Sequence, residues 1–274
     1  MSVSESEKKR SNPFYPAFDL LLAKLLAAEQ ALSVSEAAFG YASGSPEEWL
    51  GRIPDRYVCS ELVDICDNRK PGWTKKVHSL REPERGTDFL LQTVCAFRTA
   101  SYLWVIARAF ESFREFVETI DEELSDVTCT GVSRSAGSAE NSPTNERSSF
   151  DDALRHVREV APSLVKCETQ NERGIHLPQW ISVVEAVRHA VAHSDGVVRD
   201  DIYRKYRTSG LARDFPGELQ ADTGYVLKPT PEVAMRTIGT LLEYALVIYK
   251  AVSAAMNLPA VLYDHDIGIT TWRR

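Results

Sequence analysis

One short segment contains, within six consecutive residues, three side chains that can bind or react with a phosphate group. The stretch "VRHAVAHSDG" covers residues 187–196 and contains Arg188, His189 and His193. A guanidinium is a planar fork of N–H donors that fits phosphate oxygens, and an imidazole titrates near neutral pH and can move a proton. These groups suffice for metal-free RNA cleavage: the 2′-hydroxyl attacks the adjacent phosphorus, an imidazole assists proton transfer, and a guanidinium stabilises the charged phosphorane.

The helical period predicts where these side chains point. At about 100° per residue, one apolar stripe forms along the segment and is expected to face the core. The stripe consists of Trp180, Val183, Val184, Val187 and Val191. Glu185, Arg188, His189 and His193 fall outside it, so we expect all four to point away from the core of the chain's own bundle.

Two other interpretations of this polar face stay open. It could be an ordinary solvated face, since charged residues outside an apolar stripe need no special role. Glu185, His189 and His193 also form an i, i+4, i+8 ladder with spacings that could clamp zinc. The HExxH order of zinc proteases is absent, and no further strong ligand lies nearby in the sequence. We therefore expect neither a metal nor a cofactor.

Composition narrows the class of protein. The chain has 274 residues, a net charge of −7 and five scattered cysteines without a CxxC pair. The acidic balance disfavours a protein that coats nucleic acid non-specifically, and the cysteine pattern disfavours a disulfide framework or a zinc knuckle. No secretory signal or bilayer-spanning run is visible. We expect a cytoplasmic protein that has no membrane partner.

Most of the chain has helical patterns, which predict an all-α protein. We expect a disordered tail over residues 1–15, a helical accessory region over 16–86 with a helix over 55–66, a helical bundle over 87–258, and a C-terminal tail over 259–274. Within the bundle, helices are predicted over 87–121, 149–169, 178–195 and 231–257, with a flexible loop over 124–148. The aromatic residues Tyr102, Trp104, Phe110 and Phe113 lie on a helical stripe and are expected in the core.

The motif and its surroundings resemble a known family. Arg188, a polar residue at position 189, three more residues and then His193 are similar to the Arg-x4-His signature of HEPN domains. Glu185, the filler Ala190–Val191–Ala192, and Gly196 after the motif also match. The resemblance implies a HEPN-like four-helix bundle with additional N-terminal helices, and it covers about residues 87–257.

The resemblance also implies an activity. It assigns catalysis to Arg188 and His193, with His189 as the accompanying polar residue and Glu185 in support. HEPN sites are usually shared between two subunits, so the resemblance implies a homodimer that cleaves RNA in toxin–antitoxin or anti-phage defence, with a protein antitoxin or defence protein as its partner. Arg199, Arg204 and Lys205 are candidate RNA-binding residues. The alternative is a catalytically silent HEPN-like module for protein–protein interaction.

Overall fold

The computed structural model describes residues 12–45, 48, 61–63, 77–79, 87–130, 149–220 and 224–260. It is an all-α protein with two small antiparallel sheets, as the sequence predicts for its class. The helices are α1 (Tyr15–Gly44), α2 (Thr87–Thr130), α3 (Phe150–Val160), α4 (Ser163–Thr169), α5 (Leu177–Ser194), α6 (Asp200–Tyr206), α7 (Leu211–Asp214) and α8 (Pro231–Ala255). The strands are β1 (Glu61–Val63), β2 (Val77–Ser79), β3 (Val197–Val198), β4 (Gly217–Gln220) and β5 (Gly224–Leu227).

The chain divides into two compact units. One consists of residues 1–30 and 102–274, and the other of residues 31–101. These limits differ from the sequence-based division at residues 86 and 87, because α1 and α2 each contribute to both units.

The larger unit has an aromatic core to which the start of the chain belongs. Phe113 of α2 stacks on Tyr244 of α8 with ring centroids 5.2 Å apart, and Phe18 of α1 stacks on Tyr249 of α8 at 5.0 Å. Phe14 is fully buried, and the Asn12 amide donates to the Ser253 hydroxyl at 3.0 Å. The expected disordered tail is therefore wrong for residues 12–15, which pack on α8; residues 1–11 lie outside the described part.

Capping and proline positions explain where the helices begin. The Ser149 hydroxyl accepts from the Asp152 amide at the start of α3, as expected of a serine N-cap. The Thr230 hydroxyl does the same for Val233 at the start of α8, and a proline occupies the first turn of both α5 and α8. The predicted helix over 149–169 is two helices, since Ala161 and Pro162 separate α3 from α4 and proline disfavours a helical residue before it.

Two other sequence-based boundaries are corrected. α2 continues to Thr130, so residues 124–130 of the predicted loop are helical, and Leu124 extends the buried stripe with no exposed surface. Residues 131–148 lie outside the described part. A helix is expected over 55–66, but residues 61–63 within this range form strand β1 instead. This strand pairs with β2, and Leu62 lies opposite His78. Pairing with a distant segment is a non-local effect that a helical period does not reveal.

The second sheet begins directly after α5, with strand β3. Its order is β3-β5-β4 with antiparallel neighbours, and Val198 lies opposite Tyr225. The Leu227 amide donates to the Gly196 carbonyl at 3.0 Å, so the sheet fixes the chain directly after α5.

One described helix, α8, is long and apolar enough to cross a bilayer. Leu241, Ala245, Ile248 and Val252 of this helix have no exposed surface. A core helix passes the same test of length and composition, so this property of α8 is accounted for by its place in the core.

Candidate functional site

The stretch that carries the motif forms α5, and its C-terminal end is held by a left-handed turn. Asp195 and Gly196 have φ angles of 48° and 80°, and the Gly196 amide donates to the Ala190 carbonyl at 3.1 Å. A Cβ at Gly196 would lie 2.7 Å from Cδ1 of Leu103 on α2. The backbone conformation therefore favours glycine here, and the close approach of the Leu103 side chain adds to this preference.

The predicted inner stripe of α5 is largely confirmed. Trp180, Val183, Val184 and Val187 are buried, while Val191 is only half-buried. The stripe holds α5 against the rest of the larger unit and leaves its polar side chains at the edge of that contact or beyond it.

Arg188 does not point away from the chain's own helices, contrary to the helical-wheel expectation. Its Nε forms an ion pair with Oε1 of Glu111 on α2, and the exposed fractions of the two side chains are 28% and 34%. Glu111 Oε1 is buried and makes no well-aligned hydrogen bond, so the contact is mainly electrostatic. The two Nη groups of Arg188 donate no hydrogen bond to another described residue, and these donors can meet an anion.

His189 and His193 are exposed and adjacent. Their ring centroids lie 4.6 Å apart, as expected for residues one turn apart on a helix. Neither imidazole has a hydrogen-bond or ion-pair partner within the described ranges. The described part of the fold therefore makes no use of the polar atoms of these two side chains, which can meet a ligand or a second molecule.

Glu185 is half-buried, which the wheel did not predict. Burial raises the pKa of its carboxyl above the ordinary value, and Asp151 at the start of α3 adds to the increase. Arg114, Arg188 and Lys205 partly offset it. Glu185 thus belongs to a network of charges between helices.

Two residues of this network were missed by sequence reasoning. Glu111 pairs with Arg188, and Arg114 donates through Nε to Glu118 at 2.8 Å while its charge acts on Glu185. Both lie on α2, more than seventy positions before the motif. No local pattern marks them, because their role depends on how α2 packs against α5.

The three candidate RNA-binding cations have partners within their own segment. Arg199 makes two hydrogen bonds to Asp201 at 3.1 and 2.9 Å, and Arg204 pairs with Asp200 at 2.6 Å. The Lys205 ammonium lies 4.8 Å from the centre of the Tyr206 ring. The adjacent carboxylates reduce the local positive charge, although all three cations are exposed.

The metal interpretation finds no support in the geometry. Among the described residues, no group of three or more His, Cys, Asp and Glu side chains is placed to hold a metal ion. His189 and His193 are close, but the half-buried Glu185 does not complete a ligand set with them.

The sequence-based interpretation of Trp104 is wrong. Tyr102, Phe110 and Phe113 are buried as expected, but Trp104 is 62% exposed. It lies on α2 next to Leu103, the residue that contacts the Gly196 turn. A tryptophan side chain that is mostly exposed is unusual and can belong to an interaction surface.

Comparison with known proteins adds no family or relative: no family model matches the chain, and neither the curated proteins nor the solved structures contain a match.

Proposed function

We propose that the chain is a metal-independent endoribonuclease of the HEPN type. The proposal rests on one observation: two exposed, adjacent imidazoles that make no hydrogen bond or ion pair to the described residues follow, on the same helix, an arginine whose Nη groups donate no hydrogen bond to those residues. Polar side chains that the described part of the fold does not use are good candidates for function.

The chemistry is an intramolecular transesterification. His193 removes the proton from a ribose 2′-hydroxyl, whose oxygen forms a bond to the adjacent phosphorus. The bond from phosphorus to the 5′-oxygen breaks, and a protonated imidazole supplies the proton to that oxygen. The products are a 2′,3′-cyclic phosphate and a 5′-hydroxyl. The Nη groups of Arg188 donate to the non-bridging oxygens as charge develops on them, and His189 assists in orienting the phosphate.

Helical geometry favours a site built from two copies. At about 100° per residue, the five-residue step from Arg188 to His193 separates their directions by about 140°. The two side chains of one chain therefore diverge. In a twofold dimer with α5 facing α5, Arg188 of one copy and His193 of the other converge. Such a dimer also supplies two imidazoles, one as base and one as acid. A role in toxin–antitoxin or anti-phage defence, in the cytoplasm, is part of the same proposal.

The test is RNA cleavage by the purified chain in the presence of EDTA. We expect products ending in a 2′,3′-cyclic phosphate, no activity for His193→Ala, and strong loss for Arg188→Lys, because lysine keeps the charge without the fork. Arg155→Lys is the matched control, since Arg155 is exposed on α3 and pairs with Asp152 there. Cleavage that requires a divalent metal, or that His193→Ala retains, would refute the proposal.

Exposed Trp104 favours a second candidate, a catalytically silent HEPN-like module for protein–protein interaction. Tryptophan is enriched at interfaces, where its burial contributes much of the binding free energy. This candidate predicts no cleavage of any RNA and loss of self-association in Trp104→Ser, measured by sedimentation velocity. Cleavage sensitive to His193→Ala excludes it.

A further inference from the structure

A cavity of about 410 Å³ opens at the other end of α5. The segment joining α4 to α5, the chain from the end of α6 to α7, and the first half of α8 form its walls. Trp180 and Phe215 contribute an apolar floor, and their exposed fractions are 6% and 1%. The volume falls in the range of sites for small molecules of drug or nucleotide size.

Three guanidiniums line this cavity, one from each wall. They belong to Arg173, Arg213 and Arg236. Arg173 donates to the Thr240 hydroxyl at 2.8 Å and pairs with Glu243 at 2.5 Å. Arg213 makes two hydrogen bonds of 2.8 Å to Asp214. In-chain carboxylates thus pair with two of the three guanidiniums.

Arg236 differs from the other two. It is exposed on α8, and it has no ion-pair or hydrogen-bond partner in the part of the chain that the structure describes. Three guanidiniums against two carboxylates leave one positive charge at the cavity, although the whole chain is acidic with a net charge of −7. An unpaired arginine in a concave setting is poised to bind an anion.

The remaining lining is suited to an anion with polar substituents. The cavity includes Thr208, Ser209 and Gln179, whose side chains can donate hydrogen bonds. It also includes His176, the N-cap of the 18-residue helix α5, so the positive end of that helix dipole lies at the wall. Hydroxyl and amide donors around arginines are typical of sites for phosphate esters.

We propose that this cavity binds a phosphorylated small molecule of nucleotide size. The phosphate groups contact Arg236, with Arg173 and Arg213 as flanking donors, and the organic part rests on the apolar floor. The thirteen-residue step from Trp180 to His193 spans about 20 Å along α5. The site is thus distinct from the proposed ribonuclease site, and the proposal does not depend on that function.

Isothermal titration calorimetry of the full chain tests this proposal, with ADP, pyrophosphate and adenosine as probes. We expect ADP to bind, pyrophosphate to bind more weakly or equally, and adenosine to give no heat, because the charge carries recognition. Added salt weakens the binding. Lack of binding by both ADP and pyrophosphate, or equal binding of ADP and adenosine, would overturn the proposal.

Variants locate the site. Arg236→Ala is expected to weaken ADP binding at least about tenfold, since a charge-assisted contact is lost. Arg155→Ala removes an equal charge from an exposed position on α3 and is expected to leave the affinity unchanged, as is His193→Ala. Because Arg236 is exposed and unpaired, its replacement should not unfold the chain, which circular dichroism checks. Equal weakening by Arg236→Ala and Arg155→Ala would mean non-specific attraction and would refute the site.

Discussion

Arg158 and Arg188 both pair with a carboxylate from another helix, but the two contacts differ in burial and in the number of hydrogen bonds that they make. Arg158 on α3 donates through Nε to both oxygens of Glu168 at 3.0 Å and through Nη2 to the Tyr244 hydroxyl at 3.3 Å. The Glu168 side chain is 2% exposed. Arg188 on α5 approaches Glu111 through Nε, and that partner is a third exposed. The first cluster joins α3, α4 and α8, whereas the Nη groups of Arg188 donate no hydrogen bond to another described residue.

The difference shows how to separate structural from functional arginines. A guanidinium such as that of Arg158, whose Nε and Nη2 both donate to buried acceptors, contributes to stability. Burial also raises the pKa of Tyr244, with Glu168 adding to the increase, so this hydroxyl stays protonated as a donor. A guanidinium with spare donors at a partly exposed position can meet a ligand at little cost to the fold.

Removal of Glu168 should have the largest effect. Glu168→Ala leaves Arg158 and the Tyr244 hydroxyl without their shared acceptor, and we expect a loss of about 3 kcal/mol in the free energy of unfolding. Urea denaturation followed by circular dichroism measures it. Glu118→Ala is the control, since it removes a carboxylate partner of an arginine at a more exposed position. Equal losses for the two variants would contradict the structural role of the Arg158 cluster.

Gly196→Ala tests whether the turn at Gly196 and its packing against Leu103 position the end of α5. The Arg188 ion pair is expected to contribute less. The φ angle of 80° and the 2.7 Å approach to Leu103 predict a loss of about 2 kcal/mol. Gly40→Ala on α1 is the matched control, because nothing lies within 4 Å of its added methyl group. That control should be neutral or stabilising by about 0.5 kcal/mol. A neutral Gly196→Ala would show that the turn tolerates a side chain.

Breaking the Arg188 pair should cost little stability. Glu111→Ala removes a partly exposed partner, and we expect a loss of at most about 1 kcal/mol in the free energy of unfolding. Thermal or urea denaturation measures this value beside Glu168→Ala. A loss as large as that of Glu168→Ala would mean that Arg188 is as tightly bound into the structure as Arg158.

The smallest effect concerns the pH dependence of stability. The folded-state pKa of Glu185 is raised above its ordinary value of 4.5, chiefly by burial. Its contribution to stability is therefore fully present below the unfolded-state pKa and is lost as the pH rises through the folded-state pKa. Glu185→Gln cannot ionise, so its melting temperature relative to the parent chain should rise between about pH 4 and pH 7. A falling difference over that window would show that the ionised carboxylate is stabilised by its neighbours.

The sequence by itself determined the helical class, the starts of α3, α5 and α8, the turn at Gly196 and most of the inner stripe of α5. These features follow from local physics: capping side chains, proline at a first turn, glycine at positive φ, and the period of apolar residues. The motif residues could be named as candidates from the sequence alone, because all of them lie within one helix.

Only the tertiary structure decided which carboxylate meets Arg188, that Trp104 is exposed, and that residues 61–63 form a strand. It also brought Arg173, Arg213 and Arg236 to one cavity from positions up to sixty-three residues apart. Each of these depends on which elements pack together, and packing is a non-local property set by the whole core. A local period predicts which side of a helix is apolar, but it cannot predict what covers that side or which charges lie at its edge.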